Sequence, residues 1–152
     1  MLFYPEYDHL VSWTTLLGAS GAYLVGSVLL YFARRNAEPL TLRLPVAVYN
    51  AVQVVLCGWM SWAFFVECFS LGNPMGINSA FTPRTEFIML VHLASKWLDY
   101  TDTAIMILKH NWRQISFLHV YHHVSIALVW GYLLQNGETS FCVSLRPQFS
   151  LF

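Results

Sequence analysis

LVSWTTLLGASGAYLVGSVLLYFA, residues 10–33, carries no charged side chain and stops at Arg34-Arg35. A helix rises about 1.5 Å per residue, and crossing a hydrocarbon core of about 30 Å takes about 20 residues. The stretch is long enough to span. Lipid offers no partner to an unpaired backbone group, so a spanning segment of this kind is predicted to be a helix. The residues before it, 1–9, include acids but no Lys or Arg. A cleaved leader has a basic flank and a shorter apolar run, so 10–33 is expected to be a retained membrane helix.

Three more runs have spanning length. Residues 44–66 are again uncharged. Residues 87–108 are interrupted by Lys96, Asp99 and Asp102, and 115–134 by His119, His122 and His123. The predicted fold class is all-α: a polytopic membrane bundle of about four transmembrane helices. Composition agrees. Hydrophobic residues make up 57% of the chain and charged ones 11%, against about a quarter charged in a soluble domain. Net charge is zero and no basic stripe exists, so nucleic acid is not an expected partner and membrane lipid is. Cys57, Cys68 and Cys142 are odd in number and unevenly spaced. They read as ordinary apolar thiols, not a disulfide or metal framework.

The connections carry turn residues. Residues 36–43 include Pro39, and 67–85 include Gly72-Asn73-Pro74, Gly76 and Pro83. Residues 109–114 are few, so the third and fourth helices are predicted to form an antiparallel hairpin. Arg34, Arg35 and Arg43 flank the first connection, and Lys109 and Arg113 the third. The second has only Arg84, beside Glu67 and Glu86. The positive-inside rule then places both basic connections in the cytosol and the N-terminus in the lumen or outside. Residues 138–152 are too short to span and show no helical stripe. They are expected to be a divergent, poorly ordered tail beside a 1–137 transmembrane domain.

Charges within a membrane span are costly unless paired or hydrated, so their first reading is functional. Lys96, Asp99 and Thr103 share one helix face, with Asp102 at its edge and His92 one turn beyond Lys96. His119, His122 and His123 also share a face. From the end at Leu108, Asp102 lies about 9 Å in, Asp99 about 14 Å and Lys96 about 18 Å. From Ile115, His119 lies about 6 Å in, His122 about 10 Å and His123 about 12 Å. The depths match across the hairpin. Asp99 and Asp102 are therefore expected to orient the imidazoles for acid–base or nucleophilic chemistry. The competing reading is a self-satisfied polar network that only joins the two helices. A buried ion pair is weak evidence for stability, which counts against that. A further alternative is a metal site. His119-Val120-Tyr121-His122-His123 is similar to one box of the membrane di-iron desaturases, but only one such box is present and no metal ligand set is assigned. A single zinc on the three histidines is geometrically awkward.

Three segments together resemble the fatty-acid elongase family, the membrane 3-oxoacyl-CoA synthases. Lys96-Trp97-Leu98-Asp99-Tyr100-Thr101-Asp102-Thr103 is similar to its Lys-x-x-Glu-x-x-Asp-Thr motif. His119-Val120-Tyr121-His122-His123, after Gln114-Ile115-Ser116-Phe117-Leu118, is similar to its histidine box. Tyr49-Asn50-Ala51-Val52-Gln53 is similar to its Tyr-Asn-x-x-Gln signature. Gln114 with the box looks like the polyunsaturated-acyl branch, and Asp99 with Val124, Trp130 and Gly131 looks like algal or protist members.

The resemblance implies a reaction: acyl-CoA and malonyl-CoA condense, losing carbon dioxide and CoA, to a 3-oxoacyl-CoA two carbons longer. It implies the endoplasmic reticulum membrane, no cofactor beyond these substrates, and other elongation-cycle enzymes or a second copy as partners. His122 would be the transient acyl carrier, with His119 and His123 in acid–base or positioning roles. Asp99 and Asp102 would orient them, and Lys96 would neutralise the carboxylates or hold a substrate oxygen. Lys109, Arg113, Arg34 and Arg35 would meet CoA phosphates, with Gln114 beside them at the substrate mouth. Thr103, and Tyr49, Asn50 and Gln53, would brace the network or touch substrate. Two departures stand out. Asp99 replaces Glu, one methylene shorter. The family's seven-helix fold and its later motifs continue beyond what these residues supply, so the chain is expected to be a C-terminally truncated copy. A non-catalytic membrane subunit pairing with full-length elongases is the second reading, and a histidine-box metal oxidase the third.

Overall fold

Ser12, Thr82 and Ser116 set helix boundaries in the computed structural model, which describes residues 2–70 and 81–137. A 3-10 turn, Pro5–Tyr7, leads into the short helix α1, Asp8–Val11. Ser12 is extended (φ −61°, ψ 144°), and its hydroxyl accepts the Thr15 amide at 3.3 Å. That cap starts α2, Trp13–Arg34. The first span therefore begins at Trp13, not Leu10: a serine that bonds its own downstream backbone favours a cap over a helix interior. The second span is α3, Arg43–Ser70. The Thr82 hydroxyl accepts the Thr85 amide at 3.1 Å, and Pro83 opens α4, Pro83–Leu108, where no donor is needed. After a 3-10 turn at Trp112–Gln114, the Ser116 hydroxyl accepts the His119 amide at 3.1 Å and starts α5, Phe117–Asn136. Gly137 ends it at φ 61°, the left-handed cap that glycine adopts without steric cost.

Arg43, Glu67 and the Pro83–Glu86 stretch, expected in connections, are helical. Apolar-run reading stops at the first charge, whereas a capped helix carries charge to its ends. The predicted turn residues Gly72-Asn73-Pro74 and Gly76, the tail 138–152 and Cys142 lie outside the described residues. Of the other cysteines, Cys57 is exposed and Cys68 buried.

By length and composition, α2, α3 and α5 are apolar enough to cross a membrane. The fourth, α4, is long enough at 26 residues but carries Arg84, Glu86, Lys96, Asp99 and Asp102. It is also the central helix, packed against α2, α3 and α5. Glu86, Lys96, Asp99 and Asp102 are thus wholly or partly covered by protein, while Arg84 near the helix start stays exposed. Conversely, Leu44, Val48, Val55, Trp62 and Phe69 of α3 face outward. In water such a face would be a sticky patch; in a bilayer it meets acyl chains. The architecture is an all-α polytopic membrane bundle.

Side-chain pairs set the helix directions. Thr103 meets His119 and His92 meets Trp130, so α4 and α5 form the antiparallel hairpin. Ser20 meets Tyr100 and Tyr23 meets Thr103, so α2 runs parallel to α4. Gln53 meets Asp99 and Trp59 meets Phe87, so α3 is antiparallel to it. The apolar core joins Leu16, Ala63, Phe64, Ile88, Leu93, Ile126, Trp130 and Leu134.

The two basic connections lie at the same end of the bundle. The Leu40 amide donates to the Leu108 carbonyl at 2.9 Å. His110 Nε2 lies 3.0 Å from the Arg34 carbonyl oxygen, and Trp112 packs edge-on against Tyr31. At the opposite end, Phe3 and Tyr4 donate their amides to the fully buried Glu86 carboxylate at 2.7 and 2.9 Å.

The α2–α5 approach depends on Gly131. A Cβ there would come within 2.3 Å of Leu16 Cδ1 and 3.0 Å of its Cγ, and Leu16 is itself only 1% exposed. Gly131→Val should destabilise the bundle by about 1–3 kcal/mol, the usual cost of overpacking. Leu16→Ala in the same chain should recover part of that loss. Denaturant unfolding in detergent micelles, run as a double-mutant cycle, checks both.

Candidate active site

Lys96, Asp99 and Thr103 fall on one stripe of α4 because their spacing approximates whole turns. The Lys96 ammonium lies 2.7 Å from Asp99 Oδ2, with both side chains largely buried. The Gln53 amide donates to the other oxygen, Oδ1, and to the Tyr49 hydroxyl at 2.9 Å. Asp99 is thus met by a cation on its own helix and an amide from α3. Asp102 lies beside the Tyr49 hydroxyl, also from α3. The Lys96–Asp99 pair and the bracing by Tyr49 and Gln53 are as expected; the link from carboxylate to imidazole differs. The matched depths suggested carboxylates orienting imidazoles; Asp102 does face His119 electrostatically, but the hydrogen bonds of Asp99 run to Lys96 and Gln53, and Asp102 neighbours Tyr49. Depth along two helices is a one-dimensional measure, and rotation about the α4 axis decides the partner.

Thr103 takes the place expected for the carboxylates. It is fully buried, and its hydroxyl lies 2.9 Å from His119 Nε2 and 2.8 Å from the Tyr23 hydroxyl. A threonine hydroxyl donates once and accepts twice, so it can link both. The Tyr23 ring stacks on Tyr100 with centroids 4.2 Å apart, and the Tyr100 hydroxyl lies 3.2 Å from Ser20 Oγ. Two hydroxyl-bearing residues of α2, Ser20 and Tyr23, therefore brace α4 from behind.

The histidines pack against one another. The His119 and His123 rings are 4.4 Å apart at 73°, and those of His122 and His123 are 5.9 Å apart. His123 is buried, and its Nδ1 has no hydrogen-bond partner among the described residues. The Tyr23 and Tyr100 rings flank it at 6.2 and 6.4 Å. His122 is half-buried. Among the described residues, no three His, Cys, Asp or Glu side chains converge closely enough to hold one metal ion.

The remaining candidates lie toward the end with the basic connections. Lys109 is half-buried, while Arg113 and Gln114 are exposed in the turn between α4 and α5. Arg34 donates to the Glu38 carbonyl at 2.6 Å, and the Arg35 guanidinium sits 5.0 Å over the Phe32 ring. Asn50 is exposed on α3. The structure thus brings together Lys96, Asp99, Asp102, Thr103, Tyr49, Gln53, His119 and His123, with His122 beside His123, leaves Asn50 outside, and groups Lys109, Arg113 and Gln114 at one end.

Sequence reading missed Ser20, Tyr23 and Tyr100 as parts of this network, and Trp130 as the partner of His92, whose ring it meets at 4.0 Å. In an uncharged run a tyrosine counts as apolar. The only available signal was Tyr100 inside the Lys96–Thr103 motif, which implies some partner for its hydroxyl in a buried setting.

The model of the ELO family, described as the GNS1/SUR4 family, matches residues 9–145. The chain is 36% identical over 137 residues to fatty acid elongase 5 of Leishmania major, covering 90% of this chain and 54% of that protein. It is 34% identical over 137 residues to fatty acid elongase 5 of Trypanosoma cruzi, with 90% and 53% covered. To fatty acid elongase 4 of Trypanosoma brucei brucei it is 34% identical over 142 residues, with 90% and 54% covered. The chain spans about half the length of these relatives. No solved structure matches it. The family match over most of the length, on a membrane bundle that gathers the motif residues into one interior, makes this chain a member of the ELO family, the fatty-acid elongase family that its motifs resemble.

Proposed function

We propose that this chain serves fatty-acid chain elongation, contributing the part of the site that condenses acyl-CoA with malonyl-CoA. The observation that carries the reading is the Tyr23–Thr103–His119 hydroxyl–imidazole chain beside the Lys96–Asp99–Gln53 network, inside an apolar bundle. Condensation needs an apolar space for an acyl tail, a nucleophile to carry the acyl group, and donors for developing negative charge.

In this reading a ring nitrogen of His122 attacks the acyl thioester, and CoA departs as the thiol. Malonyl-CoA then loses carbon dioxide, and the resulting enolate carbon attacks the acyl carbonyl. A carbon–carbon bond forms, the acyl–imidazole bond breaks, and 3-oxoacyl-CoA leaves. Donors from His119 and His123 stabilise the enolate oxygen, where preorganised hydrogen bonds contribute most. Lys96, held by Asp99, keeps a cation in the same interior. Lys109, Arg113 and Gln114 meet the CoA head at the mouth, as charge-assisted bonds to phosphate allow. Thr103 positions His119, and Asp102, Tyr49 and Gln53 hold the network in place, with Asn50 a substrate contact at its edge. The substrates are then acyl-CoA and malonyl-CoA, with no separate cofactor. Polyunsaturated acyl chains are the class proposed. The setting is the endoplasmic reticulum membrane, with the basic connections cytosolic, the N-terminus lumenal, and other elongation-cycle enzymes or a second copy as partners.

Expression in microsomes with acyl-CoA and labelled malonyl-CoA tests the reading. The expected product is a labelled acyl chain two carbons longer; its absence would count against activity of this chain. His122→Ala should abolish that product, and unchanged product would remove His122 as the carrier. Thr103→Val should lower the rate on the order of 100-fold, the cost of misplacing a reacting group by about an ångström. Thr103→Ser, which keeps the hydroxyl, should retain most of the rate.

A further inference from the structure

At the end of the bundle away from the basic connections, two carboxylates are buried. Glu67 accepts the Thr82 hydroxyl at 2.6 Å and faces the Arg84 guanidinium at 3.5 Å. Glu86 is 0% exposed and has a different kind of partner: the backbone amides of Phe3 and Tyr4, one on each oxygen. Arg84 is the one basic residue of sequence between Glu67 and Glu86, and its guanidinium is engaged by Glu67. Among the described residues, the Glu86 carboxylate is hydrogen-bonded by two peptide N–H groups more than eighty positions away in sequence. A buried carboxylate that loses its donors costs far more than an exposed one.

The chain that supplies those donors lies across the bundle end as a strap. Leu2 is 7% exposed and joins the same apolar core as Leu93 and Trp130. Phe3 stacks on Phe81 with centroids 5.8 Å apart. Farther along, the Gln135 amide donates to the Val11 carbonyl and ties the strap to the last turn of α5. The strap touches both helices of the hairpin that holds the histidines.

We propose that residues 2–4 and Glu86 form a latch that keeps this end of the α4–α5 interior closed, and that breaking its two hydrogen bonds lifts the strap without unfolding the bundle. The apolar contacts of Leu2 and Phe3 alone are too few to hold a three-residue segment against its conformational freedom. The carboxylate provides the direction and most of the hold. Because Glu86 sits in the first turn of a well-capped α4, the helix itself does not need the strap to form.

The test uses the full chain in detergent micelles with Cys57, Cys68 and Cys142 replaced by alanine. A single cysteine is introduced at Leu2→Cys, and its reaction rate with a water-soluble maleimide is measured. Slow labelling is expected with Glu86 present, and labelling faster by about ten-fold or more with Glu86→Gln, in keeping with loss of charge-assisted bonds. Phe3→Ala with Tyr4→Ala loses the Phe3 and Tyr4 rings but keeps both donors, and serves as the control for a second variant, Phe3→Pro with Tyr4→Pro, which removes both donors as well. The double-proline chain should speed labelling similarly over that control. Ile107→Cys, buried at the far end of α4, reports on the bundle and should stay slow throughout. Rapid labelling of Leu2→Cys with Glu86 intact would overturn the latch. So would an unchanged rate in the double-proline chain, or acceleration of Ile107→Cys in step with Leu2→Cys in that chain. The readout is independent of turnover.

Discussion

Charge inside a membrane helix must be met by protein, and in α4 this requirement sets which way the neighbouring helices face. Lys96 and Asp99 neutralise each other across one turn, but a carboxylate has more than one oxygen to satisfy. Gln53 of α3 supplies the second donor, which fixes α3 against that side of α4. Thr103 then needs partners on the remaining sides and finds Tyr23 on α2 and His119 on α5. One helix too polar for lipid is thus wrapped by three that suit it. Packing in a bilayer lacks the hydrophobic drive available in water, so polar contacts of this kind carry more of the specificity.

The polar residues are also sorted along the bundle. Toward one end lie the two basic connections, joined through the Leu40–Leu108 and His110–Arg34 contacts, with the histidine cluster in the first two turns of α5. Toward the other lie Glu67, Glu86 and the N-terminal strap. Between them Lys96, Asp99 and His92 sit among the apolar side chains of the core. This polarity along the axis follows from where the turns place their charges.

Support of His119 by a threonine hydroxyl has a chemical consequence. A carboxylate only accepts a hydrogen bond, so it favours the protonated nitrogen facing it. A hydroxyl donates or accepts, and therefore serves either tautomer of the ring it faces. Behind Thr103, Tyr23 can reverse its own role in the same way. The carboxylates meanwhile hold the cation and the α3 side chains in register, one step removed from the rings.

The uncharged runs and the spacing of Lys96, Asp99, Thr103 and the histidines were sufficient by themselves to determine a membrane bundle, its hairpin and part of its polar interior. Period and composition are local properties, and lipid leaves a long apolar segment few alternatives to a helix. Which atoms meet was decided only in three dimensions. Rotation of α4 about its axis directs Asp99 and Asp102 toward α3 and Thr103 toward α2 and α5, and no one-dimensional depth carries that angle. Tyr23 and Ser20 were invisible because an aromatic or small residue in an apolar run gives no sign of its hydroxyl's partner. Glu86, read as a loop charge beside Arg84, is fully buried because the backbone of residues 3 and 4 folds back to meet it, a contact between segments too distant in sequence for any local pattern to register.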